Sequence, residues 1–266
     1  MVDELEMTVP GRSLFIVSIG NLAAPYTLSR HSAGHTLLKA IEPLLLERVG
    51  LAHSSYQYKT WQCPSLMNVS GPALTRRLKP WLAEQRRIYR ETVTDVQSTT
   101  STPPPLFPNR PGGDQEVGLD VRGPSQQFSA TLVILHDELE AELGQLKVRR
   151  GGPEQASLRG HRGLGSVMES LRGAGLLQQQ QRLKSARSKS KSKSAPNETD
   201  ASGRSDMEIL RVGVGIGRPE SRNKDDVSRY VLADMSPREL QVIRRAASPL
   251  VDTLVKELKG KRKRQG

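Results

Sequence analysis

Three short apolar runs punctuate the chain: "LFIVSIG" at 14–20, "TLVILHDEL" at 131–139 and "EILRVGVGIG" at 208–217. Each is rich in β-branched residues and bounded by turn or loop signals, which predicts buried strands. "QLKVRR" at 145–150 alternates Leu146 and Val148 with Lys147 and Arg149, the period of a half-exposed strand. Helical patterns lie between these runs. Leu37, Ile41, Leu44 and Leu45 share one face after the serine-containing start at 29–32, and Pro43 predicts a bend. A last helix is expected from "SPREL": Ser236 as N-cap, Pro237 at the first helical position and Glu239 closing a capping box. Leu240, Ile243, Leu250 and Leu254 then line one face of it. Strands alternating with helices predict a single α/β domain, a mixed and mostly parallel twisted sheet flanked by helices.

Two stretches fit no core. Residues 94–128, around "TSTPPPLFPNRPGGD", are rich in Pro, Gly and Ser/Thr, and residues 177–206, around "QQQQRLKSARSKSKSKS", are polar and of low complexity. Neither can bury enough apolar surface to offset the entropy of ordering, so both are expected to be disordered insertions. The domain is then expected to span 12–260 with these two interruptions, followed by a basic tail at 261–266.

Composition adds limits. The hydrophobic fraction of 35% and aromatic fraction of 4% agree with a partly unpacked chain. A single cysteine, Cys63, excludes an internal disulfide framework and suits a reducing compartment. No apolar stretch reaches membrane-spanning length, and Asp3, Glu4 and Glu6 are unlike a secretory or transit leader. The expectation is a soluble protein without a membrane partner, cytoplasmic or mitochondrial, with no visible targeting peptide. Of the net charge of +12, Gln178–Asp206 and Lys259–Arg264 together carry +9. Basic segments of this kind attract polyanions, nucleic acid above all, through counterion release, and serve equally as solubilising tails.

Polar residues at the strand ends are the candidates for chemistry. Asn21 lies just past the first strand, Asp137 interrupts the end of the second apolar run, and His31 stands near the start of the first helix. Ligands of open α/β sheets bind beyond the carboxyl ends of the strands, so these three can face one crevice. A histidine held by a carboxylate, with an amide nearby, suits activation of water for ester or acyl hydrolysis. Taken alone, His31 reads as a packed or solvated residue. No G-x-S-x-G elbow is present, and neither H-E-x-x-H nor paired cysteines supports a metal site.

The order of motifs sharpens this. "SIGNLAAPYTLSRHSAGH" (18–35), "CPSLMNVSG" (63–71), "VILHDELEAELGQLKVR" (133–149), "GHRGLGSVMESLRG" (160–173) and "RVGVGIGRPESRNKDDVSRYVL" (211–232) follow one another along the chain. The series resembles the bacterial-type peptidyl-tRNA hydrolase family over nearly everything outside the two insertions and the termini. The resemblance implies an esterase without metal or other cofactor that splits the bond between a nascent peptide and the ribose of its tRNA. It implies His31 as the general base, Asp137 as the group that orients and polarises it, and Asn21 and Asn68 as holders of the ester and peptide backbone. Tyr26, Met67 and His161 would line the cleft. Lys147 and Arg149 would grip a phosphate of the tRNA, with Arg211 a weaker candidate. A monomer is expected, because such a cleft needs no partner chain.

Several positions depart from the family pattern. Ser32 follows the histidine in place of asparagine, Leu22 replaces the proline of G-N-P-G, and Leu66 replaces the phenylalanine before M-N. Arg162 stands where the family has a substrate-facing asparagine, and a guanidinium cannot accept a hydrogen bond. These changes leave a second reading open: a non-catalytic RNA-binding protein on the same fold.

Overall fold

A computed structural model describes residues 12–49, 57–100, 128–152, 161–177 and 207–259. Five strands form one sheet in the order β2-β1-β3-β5-β4: β1 (Ser13–Ser18), β2 (Gln57–Gln62), β3 (Ala130–Glu138), β4 (Leu146–Arg150) and β5 (Met207–Gly215). All neighbours run parallel except β4, which lies antiparallel on β5. Six helices flank it: α1 (Ala33–Val49), α2 (Ser70–Thr100), α3 (Arg162–Gly173), α4 (Lys224–Leu232), α5 (Pro237–Arg245) and α6 (Ala247–Lys259). None of the described helices is long and apolar enough to cross a membrane.

The sheet is buried on both faces, which is why β1, β3 and β5 read as apolar runs with little alternation. Leu14, Ile16, Val133, Leu135, Leu210 and Val212 point into a core beneath α1, α5 and α6. Phe15, Val17, Leu132, Ile134 and Ile209 point the other way, toward α2 and α3. The crossover from β1 to β2 therefore packs its helix on one face, and that from β2 to β3 packs its helix on the other. β1 and β3 are adjacent strands whose connections leave in opposite directions, so a crevice opens beyond their carboxyl ends.

Several expectations change here. The capping box at Ser236 and Glu239 forms as expected, but the last helix is two helices, α5 and α6, separated at Ala246. Pro249 explains the break: it has no N–H for the carbonyl of Arg245, and its ring crowds that carbonyl. Helix α1 runs on through Pro43, which lies on its exposed side, where water can satisfy the carbonyl it leaves unpaired. Strand β2 carries no apolar run, "QYKTWQ", and as a sheet edge it needs none. Helix α2 continues to Thr100, into the stretch expected as the first insertion. Most of both expected insertions, and the tail at 261–266, lie outside the described residues.

Gly71 sets the contact between α2 and α3. A Cβ there would stand 2.1 Å from the carbonyl oxygen of Ser166, while the Gly71 N–H donates to Ser166 Oγ at 3.1 Å. Gly71→Ala must push two packed helices apart, and a loss of about 3 kcal/mol is expected as a lower denaturation midpoint in urea.

Candidate active site

The crevice at the ends of β1 and β3 collects the polar residues. The segment after β1 is tied down by Ser32, which is fully buried. Its Oγ accepts from the Asn21 N–H at 3.1 Å and lies 2.9 Å from the carbonyl oxygens of both Asn21 and Tyr26, one of which takes its proton. The departure from the family pattern at position 32 thus serves as a staple for the cleft loop. Asn21 is in turn fixed by its side chain: Oδ1 accepts from the Met67 N–H at 3.0 Å. Only the amide NH2 group of Asn21 remains for a ligand.

Asp137 is the centre of the site. It is 3% exposed, and each carboxylate oxygen takes one imidazole: Oδ2 lies 2.9 Å from His31 Nδ1 and Oδ1 lies 3.2 Å from His161 Nε2. His161 caps α3, and its Nδ1 accepts from the Leu164 N–H at 3.1 Å. Its proton must therefore sit on Nε2, directed at Asp137. Asp137 likewise takes the Nδ1 proton of His31, which leaves His31 Nε2 as a lone-pair acceptor on a ring that is 28% exposed.

The electrostatics agree with this arrangement. Burial alone would raise the Asp137 pKa, but the charge and hydrogen bonds of His161 and His31 hold it well below the usual carboxylate range. For His31, burial pulls down, and the hydrogen bond and charge of Asp137 outweigh it, so its pKa lies above the ordinary histidine value. A base so held is stronger than a free imidazole and needs its proton removed before it can act.

The remaining candidates divide. Met67 is buried and Asn68 is exposed on the 3-10 turn Met67–Val69 before α2, and Tyr26 is exposed on the turn Tyr26–Leu28. Arg162 is exposed as the first residue of α3. Lys147 and Arg149 sit opposite Gly213 and Arg211 and so share one face of β4. Lys147 Nζ donates to the Glu140 carbonyl, and Arg149 pairs with Glu138 at 2.5 Å. Arg211, the weaker candidate, is 2% exposed. It shares one face of the sheet with Arg149, its antiparallel partner on β4, but is covered there.

Sequence reasoning missed two histidines. His136 stacks edge-on against His161 with centroids 4.9 Å apart, and its Nδ1 donates to the Asp137 carbonyl at 2.7 Å. His35 is buried on α1. Burial, aided by the charge of His161, pushes His136 down to about 4; burial, aided by Lys39, pushes His35 down to about 4. Both stay neutral when folded and titrate near the ordinary value when unfolded. Stability is therefore complete above about pH 6.5 and falls as pH drops toward 4, by as much as about 3 kcal/mol for each ring. Thermal melts at pH 7 and pH 4.5 check this; equal melting temperatures would contradict it.

The fold and site define a class: an open α/β protein with a carboxylate-held imidazole at its switch point, an arrangement suited to activating water. Comparison with known proteins narrows it. A probable peptidyl-tRNA hydrolase of Schizosaccharomyces pombe is 33% identical over 123 residues, 46% of this chain and 42% of that protein. The peptidyl-tRNA hydrolase of Saccharomyces cerevisiae is 24% identical over 239 residues, 89% of this chain and 91% of that protein. A solved structure of a mutant peptidyl-tRNA hydrolase from Acinetobacter baumannii shares the fold, with a TM-score of 0.50 and 16% identity over 95% of this chain and 91% of that one. No protein-family model matches the chain. The chain is thus similar to peptidyl-tRNA hydrolases over most of its length. Its match spans less than half the length of the S. pombe protein and of the Coprothermobacter proteolyticus peptidyl-tRNA hydrolase.

Proposed function

We propose that this chain hydrolyses the ester bond of peptidyl-tRNA, releasing the peptide and free tRNA. The observation that carries the reading is the grip on Asp137 by two imidazoles, which leaves His31 Nε2 unprotonated and accessible. His31 Nε2 takes a proton from water, the hydroxide equivalent adds to the ester carbonyl, and the Asn21 NH2 group donates to the oxygen on which charge develops. The bond from the carbonyl carbon to the ribose oxygen then breaks, and that oxygen takes the proton from His31 to leave as the free hydroxyl. Asn68 and Tyr26 hold the peptide side of the substrate, and Met67 supports the cleft from beneath.

Lys147 and Arg149 contact a phosphate of the tRNA, exchanging their present partners for it. Such contacts position a substrate without reading its sequence, which suits an enzyme acting on many tRNAs. Arg162 offers the peptide donors only, so recognition there relies on substrate carbonyls. The test is release of free tRNA from an N-blocked aminoacyl-tRNA by the full chain. Turnover is expected; tRNA binding without turnover would leave the chain as an RNA-binding protein on this fold.

A further inference from the structure

Beside the turn Tyr26–Leu28, outside the His31–Asp137 pair, lies a cavity of about 260 Å³. Its walls come from four elements: Thr27 on that turn, His35, Thr36 and Lys39 on α1, Gln62 at the end of β2, and Arg244 on α5. Among the described residues lining it, two are cationic and none is acidic. Two buried nitrogens on these residues, His35 Nε2 and Gln62 Nε2, complete no hydrogen bond of normal geometry; the His35 ring has only a poorly aligned contact with the Gly20 backbone. Unmade buried donors are rare in native proteins and point to something that completes them.

The tautomer of His35 follows from its other nitrogen. Nδ1 lies 2.7 Å from Ser18 Oγ. Among the described residues that hydroxyl has no other hydrogen-bond partner, so it donates to Nδ1 and the ring proton sits on Nε2. The ring is 3% exposed and, being depressed to about 4, is neutral near pH 7. The cavity thus offers an imidazole N–H, an amide NH2, a Thr36 hydroxyl, an ammonium and a guanidinium. That is a set of donors with positive charge and no carboxylate, the chemistry of a site for a phosphate group.

We propose that this cavity binds a phosphate group, with Lys39 and Arg244 supplying charge and His35 Nε2 and Gln62 Nε2 supplying directed hydrogen bonds. Its source is a backbone phosphate of the RNA substrate, because the turn carrying Thr27 also carries Tyr26 of the cleft. The source, though not the site, rests on the function proposed above. A phosphate held there would anchor the substrate on the side of the loop away from Lys147 and Arg149.

The test uses the full chain with 15N-labelled histidine. Titration with inorganic phosphate is expected to move the His35 ring signal, and the double variant Lys39→Gln, Arg244→Gln to abolish that movement. Both replaced side chains are exposed, and circular dichroism verifies that the variant is folded. Deacylated tRNA is expected to move the same signal in the wild type. The variant should bind tRNA about tenfold more weakly, with a salt slope smaller by about 1.5–2. With peptidyl-tRNA the variant should show a raised KM and an unchanged kcat. If phosphate moves the His35 signal and tRNA affinity is unchanged in the variant, the site stands and its occupant is a small phosphate compound. If neither phosphate nor tRNA moves the signal, the cavity holds water and the proposal is overturned. A chain that releases no tRNA yet responds to phosphate at His35 would refute the proposed function and leave the site standing.

Discussion

Replacing His31 by alanine should slow tRNA release about 10²- to 10⁴-fold while secondary structure and tRNA affinity stay at their wild-type values. The expectation separates chemistry from folding because of how Asp137 is held. With His31 gone, the buried carboxylate keeps its bond from His161 Nε2 at 3.2 Å, so no charge is orphaned in the core. The lost ring is 28% exposed, so water can enter the space it leaves. What disappears is the lone pair on Nε2. A variant as fast as the wild type would show that the base lies elsewhere.

Asp137→Asn should cost at least as much, about 10⁴-fold, by moving one proton. The wild-type carboxylate accepts from both imidazoles, one at each oxygen. An amide has a single acceptor. His161 cannot change tautomer, because its Nδ1 already accepts from the Leu164 N–H. The amide oxygen therefore pairs with His161, and its NH2 group faces His31. There it donates to Nδ1 and drives the His31 proton onto Nε2, the atom that must accept one. The pH profile reports the same change. Catalysis requires neutral His31, so wild-type activity should rise through a midpoint above about 6.5. Removing the carboxylate removes the influence that raises it, and the residual activity should rise at lower pH. A profile and rate unchanged in the variant would exclude Asp137 as the group that sets the His31 proton.

How far the site could be read from sequence depended on the kind of interaction. Asn21, His31 and Asp137 were legible because strand ends are visible as the limits of apolar runs, and ligands of such sheets gather beyond those ends. The set of ordered motifs then named their chemistry. The burial of Arg211 was not legible, because "RVGVGIG" does not say where its strand lies or what packs over its face. Pairing with β3 and β4 puts the strand inside the sheet, and Arg211 is covered on the face it shares with Arg149. The bond between His161 and Asp137 joins residues from α3 and β3 whose approach depends on how α3 packs. Spacing along the chain carries no trace of it, and the cap that fixes the His161 tautomer is equally silent there. Ser32 looked like a loss of the family's asparagine and proves to be a buried staple.

The helices show the same division. The capping box at Ser236 and Glu239 is local, a contest between a side chain and nearby backbone groups, and it forms as the sequence predicts. The break at Ala246 is also local and was encoded by Pro249. An apolar face continuing past it, from Ile243 to Leu250, hid it, because both helices pack on one core.

The amino-acid sequence by itself determined the layered α/β architecture, the main strands, the capped start of α5 and the residue types able to activate water. Those depend on periodicity and on neighbours a few residues apart. The tertiary structure alone decided which strand was interior, which imidazole proton faced Asp137, and which unpaired donors met in the cavity at His35. Those outcomes arise where segments distant along the chain approach within a hydrogen bond's length, and only the packing of the sheet and its helices sets that distance.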